Sequence, residues 1–145
     1  MKTLPLVLGL IVGMAALTPA SRAAETASLT VTFSGVKATT GAIMFTVVNS
    51  EVAYADKAPA TAQAVLPVSN SSASHVFTGL APGRYAIKAF HDVNGDGKMN
   101  ANPFGIPTEP FAFSNNAVGN MGPARWADAS FDLKAGDNTH TITID

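Results

Sequence analysis

The residues with the plainest chemical potential are Asp92, Asn94, Asp96, Lys98, Asn100 and Glu109. In the run Asp92-Val93-Asn94-Gly95-Asp96-Gly97-Lys98-Met99-Asn100, side-chain oxygens recur at alternate positions before the chain turns on glycine. A hard dication takes six to eight oxygens at about 2.3–2.6 Å, and a tight loop supplies them from side chains at positions one, three and five and a backbone carbonyl at seven. Asp92, Asn94 and Asp96 fill the first three places, the Lys98 carbonyl the seventh and Asn100 the ninth, with Gly97 at the sharp turn. The twelfth place, where a bidentate glutamate belongs, is Pro103, so Glu109 is expected to complete the shell. With so few carboxylates the expected ion is calcium, held weakly at about 10⁻⁴–10⁻³ M.

The same letters have an ion-free reading. Asn94-Gly95 and Asp96-Gly97 are strong hairpin-turn dipeptides, and Asx side chains readily bond their own backbone. A two-residue hairpin would be followed by an apolar alternating strand, whereas Met99-Asn100-Ala101-Asn102-Pro103 comes next here, which favours the ion.

Four aromatic residues, Phe104, Phe111, Phe113 and Trp126, accompany the loop. They form either a stacking platform for a polysaccharide or a protein partner, or a small satellite core that pins the loop down. The satellite core is preferred, because a long excursion without ladders must bury something of its own. Hydrolytic chemistry from His91, Asp92, Glu109 and Ser114 ranks third, since no nucleophile elbow, zinc-type histidine pair or phosphate loop is present. His91, beside the first loop acid, reads as a strand-end residue, and His75 and His140 as ordinary sheet residues.

Strands must position this loop. Leu29, Val31 and Phe33 alternate with polar residues, and Ile43, Phe45 and Val47 form a second strand, apolar on both faces and therefore central. Residues 50–61 read as a loop or one helical turn. Pro67 confines Ala62 to Val68 to a sheet edge, because proline cannot donate to a ladder. Residues 73–78 and 85–90 give two more strands, joined through Leu80-Ala81-Pro82-Gly83-Arg84-Tyr85, a leucine–turn–tyrosine pattern typical of transthyretin-like and collagen-adhesin-type domains. A long loop then spans residues 92–125, holding four of the nine prolines. Strands at Ala127–Leu133 and His140–Ile144 close the chain. The fold class is all-β: a single antiparallel β-sandwich of immunoglobulin or transthyretin-like type, with about seven strands.

Lys2, the apolar run Leu4 to Leu17, and Ser21 and Ala23 read as a signal peptide over residues 1–23. The run is shorter than the roughly 20 residues of a membrane span, so no span is expected after cleavage. The chain has no cysteine, which excludes a lipid-modified N-terminus and disulfides alike. Residues 24–145 are then one exported domain, periplasmic or extracellular, large enough for a real core. Without Lys2 and Arg22, seven basic residues face ten acidic ones, a balance that excludes nucleic acid as a partner.

The run G-R-Y-A-I-K-A-F-H-D-V-N-G-D-G-K-M-N, then F-G-I-P-T-E-P-F-A-F-S-N-N and W-A-D-A-S-F-D-L, resembles the bacterial domain of unknown function 2141, from Gly35 to the C-terminus. The resemblance implies export and a sandwich, and it brings no established activity. Two departures from the family pattern are Asn100, where an aspartate is usual, and Pro110-Phe111-Ala112, where Gly-Tyr-Gly is usual. The expected role is a structural or interaction module with a calcium-ordered loop. A carbohydrate-binding or adhesion module is the alternative.

Overall fold

The computed structural model describes residues 23–145. The expected signal peptide, save Ala23, lies outside the described residues. Eight strands are found among them: β1 (Ala27–Ser34), β2 (Ala42–Val48), β3 (Ala62–Pro67), β4 (Ser72–Leu80), β5 (Gly83–Asp92), β6 (Phe111–Phe113), β7 (Phe131–Leu133) and β8 (Gly136–Thr143). Two short α-helices, α1 (Glu51–Tyr54) and α2 (Trp126–Ala129), and a 3-10 turn at Ser114–Asn116 join them. No described helix is long and apolar enough to cross a membrane.

The strands form a three-stranded sheet, β4-β1-β8, and a five-stranded sheet, β3-β2-β5-β6, in which β7 also pairs with β5. Alternation decides which side chains face inward. Leu29, Val31 and Phe33 of β1 meet Ile43, Phe45 and Val47 of β2 in a shared core, where the Phe33 and Phe45 rings touch edge-on at 4.9 Å. Each such side chain contributes about 1.5–3 kcal/mol by leaving water. As its two apolar faces predict, β2 is central, and Pro67 sits in β3 at the sheet's edge. The Leu80–Tyr85 turn forms as expected, and its Tyr85 hydroxyl donates to the Ala81 carbonyl at 2.8 Å.

Four expectations need correction. The structure is not wholly antiparallel, because β8 runs parallel to β1 from Ala27 opposite Gly136 to Ser34 opposite Thr143. Side-chain alternation is the same for either direction, so the pattern could not tell them apart. The strand count is eight rather than seven, because the 92–125 loop contains β6, only three residues long and too brief to show a period. Ala127 and Ala129 belong to α2, not to a strand. Alanine is the best helix former, and Ala129 is fully buried in a second apolar cluster. The last strand starts earlier than the expected His140, since Gly136 and Asp137 already pair with β1 as the start of β8.

β6 and β7 lie along different stretches of β5, and Ser114 joins the stretches. Its hydroxyl accepts from the Ile87 N–H at 2.8 Å and donates to the Ala129 carbonyl. A buried side chain thereby replaces one rung of the ladder, as buried backbone polar groups require.

Candidate binding site: an Asx-bonded loop beside an open apolar groove

Strand β5 ends at Asp92, which is buried. Its carboxylate gathers the next turn of chain: Oδ1 accepts from the N–H groups of Gly95 at 2.8 Å and Asp96 at 3.1 Å, and Oδ2 from that of Gly97 at 2.7 Å. Gly95 and Gly97 both have φ near +76°, which glycine adopts without strain. Gly41 is needed for a different reason, since a Cβ there would stand 1.9 Å from the Asp92 carbonyl oxygen.

Asp96, Asn94 and Asn100 meet above this turn. Asp96 Oδ2 accepts from Asn100 Nδ2 at 2.9 Å and Asn94 Nδ2 at 3.4 Å, and Asn94 Nδ2 also reaches Asn100 Oδ1 at 3.0 Å. The Asn100 bond, then the Lys98 N–H, hold the Asp96 carboxyl below its ordinary value. Glu109 returns to the loop as expected, but to its backbone. Oε1 accepts from the Val93 N–H and Oε2 from the Asn100 N–H, both at 3.0 Å. Among the described residues no group of three or more His, Cys, Asp or Glu side chains is placed to hold a metal. The convergence of Asn94, Asp96 and Asn100 fits a weak hard-ion site by donor type, because half-turns of the two amides would present oxygen beside the Asp96 carboxylate.

Asn100 links the loop to the next segment of chain. Its carbonyl accepts from the Thr108 N–H at 2.8 Å, opening a small hairpin that Ala101 and Pro107 bridge. At the hairpin's tip Asn102 Oδ1 accepts from the N–H groups of Phe104 and Ile106. Phe104 is 87% exposed and Ile106 59%.

Cross-strand register places the outward side chains of the five-stranded sheet in rows. Val48 faces Ala86, Thr46 faces Lys88, Met44 faces Phe90, and Ala42 faces Asp92. Phe113 and Phe111 extend the middle two rows on β6, and Gln63 and Val65 on β3. The Val48–Ala86 row lies under a second apolar cluster that includes Tyr54, Phe113, Trp126 and Ala129. Burial, with the charge of Asp128, pushes the Tyr54 phenol up to about 12, and its hydroxyl donates to the Ala124 carbonyl at 2.7 Å. At the opposite end the loop folds over Asp92. The middle two rows stay open and floor a groove of about 1120 Å³, walled by Met99, Phe104, Ile106 and Met121. Ligand sites commonly span about 300–1,000 Å³.

Residues 31–141 match the family model described as an uncharacterized protein conserved in bacteria, DUF2141. The chain belongs to that family. No curated protein and no solved structure matches it. The DUF2141 match runs from β1 into β8 and takes in the loop, the hairpin and most of the groove floor.

In this DUF2141 chain the predicted aromatics divide. Phe113 and Trp126 pack on Tyr54, with ring centroids at 6.4 and 5.8 Å, in the expected satellite core. Phe104 and Phe111 stay exposed on the groove. The four residues considered for hydrolysis are engaged with backbone partners: the His91 ring with the Thr40 carbonyl at 2.7 Å, Ser114 with Ile87 and Ala129, and Asp92 and Glu109 with the loop. Sequence reasoning missed Met44, Asp56 and Lys88 as groove residues. Their meeting depends on strand register, which no local pattern displays.

Proposed function

We propose that this protein is an exported interaction module whose working surface is the open groove, one wall of which is ordered by calcium. Asn100 carries the proposal: its side chain belongs to the Asp96 cluster, its N–H to Glu109, and its carbonyl to the hairpin bearing Phe104 and Ile106. An ion drawing Asn94, Asp96 and Asn100 together would stiffen the wall as well as the loop. The turn between β4 and β5, with Tyr85 bonded back to Ala81, supports placing the fold among immunoglobulin or transthyretin-like secreted sandwiches, where such tyrosine corners recur. A leader ending near Ala23 supports export, to the periplasm or beyond.

The test is thermal unfolding of residues 24–145 in chelator, millimolar calcium and millimolar magnesium, with Asp96→Ala alongside. At a hundredfold excess over the dissociation constant, a native-state ligand adds about 2.7 kcal/mol, equivalent to several degrees. The proposal expects a rise with calcium that magnesium does not match and Asp96→Ala removes. No rise would leave the loop as turn chemistry. A carbohydrate-binding reading draws on Phe104 and Phe111, whose exposed rings flank the groove. It expects Trp126 fluorescence, beside that face, to respond to polysaccharide.

A further inference from the structure

The two open rows of the groove floor differ in chemistry. One, through Met44 and Phe90, is apolar. The other holds Lys88, whose ammonium donates to the Tyr54 carbonyl at 2.8 Å and pairs with Asp56 at 2.5 Å. The pair is unequally placed, since the Lys88 side chain is 20% exposed and that of Asp56 83%. Asp56 also sits at φ +58°, outside the usual range for its type, at the end of a short helical turn. A largely buried cation beside an apolar strip is therefore neutralised by a carboxylate that water can readily reclaim.

We propose that the groove binds a monomeric long-chain carboxylate, the tail lying over Met44 and Phe90 against the Ile106 and Phe104 wall and the head group replacing Asp56 on Lys88. The inference rests on the groove being the working surface, and charge complementarity decides the occupant. A neutral amphiphile would leave the cation with its present partner and gain only the tail's burial. A cationic one would pair with Asp56 on its wet side, where water screens the gain, and would still face Lys88 at close range. An anionic one gains a charge-assisted hydrogen bond at a site partly shielded from water, while Asp56 returns to solvent at little cost.

The test is calorimetric titration of the full mature chain with dodecanoate below its micelle concentration, with dodecanol as the matched neutral tail. Dodecanoate is expected to bind one to one. Lys88→Met should weaken it by about tenfold to a hundredfold while leaving dodecanol nearly unchanged. Asp56→Asn should tighten dodecanoate, because the competing carboxylate is gone. Asp56 is exposed enough that this variant folds even if Lys88→Met does not, and the two shifts of opposite sign are not produced by general destabilisation. Equal binding of both amphiphiles, unaffected by either substitution, would overturn the carboxylate site and leave the groove as an apolar surface. Failure of both to bind would overturn the carboxylate site, while the groove reading is decided separately by the calcium and polysaccharide measurements. Binding to phosphatidylglycerol vesicles without binding to dodecanoate would likewise overturn it, in favour of a membrane surface.

Discussion

Lys88 and Asp56 meet at 2.5 Å, yet one side chain is mostly covered and the other mostly wet. The covered cation keeps a second partner in the Tyr54 carbonyl, so the pair's purpose is not to hold the fold. Because Asp56 itself is in water and Lys88 keeps the Tyr54 carbonyl, Asp56→Ala is expected to cost about 1 kcal/mol, the upper end for exposed pairs. Urea unfolding checks this, and a loss of several kcal/mol would show that α1 depends on the pair.

Glu109 takes one loop N–H on each oxygen, and Glu109→Gln turns one acceptor into a donor facing another donor. A loss of about 1–3 kcal/mol is expected. Hydrogen exchange should speed at Val93 and Asn100 while β1 amides are unaffected until global unfolding. Unchanged protection at Asn100 would remove Glu109 as the clamp.

Ser114 has no exposed surface, and its hydroxyl serves both Ile87 and Ala129. Ser114→Ala leaves a buried donor and a buried acceptor without their partner, with an expected cost of about 1–3 kcal/mol. Threonine keeps the hydroxyl but adds a methyl in a closed site, and should not restore full stability. Denaturant midpoints of the two variants read this out.

His140 stacks on Phe131 at 4.1 Å, and its Nε2 accepts from the Asn115 N–H at 3.0 Å, so the fold holds the neutral ring. Burial pushes its pKa below the ordinary 6.5. The unfolded chain then takes up the proton first as pH falls. This contribution is present above about pH 6.5 and is lost as pH drops toward the folded value. Stability measured from pH 7.5 to 5 should decline more steeply in the wild type than in His140→Asn, the difference isolating this ring from His75 and His91. Parallel pH profiles would show that His140 titrates normally.

Gly41 lies against the Asp92 carbonyl at φ +73°. Gly41→Ala forces a backbone shift as well as a strained dihedral, and should cost more than about 1 kcal/mol. An unchanged melting temperature would mean that β2 and β5 can separate freely at this end.

The alternation of Leu29, Val31 and Phe33, and of Ile43, Phe45 and Val47, determined an all-β chain with a central β2, because burial on a pleated sheet has a period of two that sequence displays directly. Local oxygen spacing likewise brought Asn94, Asp96 and Asn100 together, since turn chemistry acts over a few residues, whereas Asp92, expected among them, holds the backbone of the turn beneath. Glu109 was foreseen at the loop, though as an ion ligand rather than a clamp, because the backbone donors it meets are not written in side-chain letters. Only the tertiary structure decided that β8 runs parallel to β1, that Ser114 joins β6 to β7 across β5, and that Met44, Lys88 and Phe90 share one open strip. Strand direction and register leave no local trace in the pattern, and a groove built from four strands exists only once they are paired.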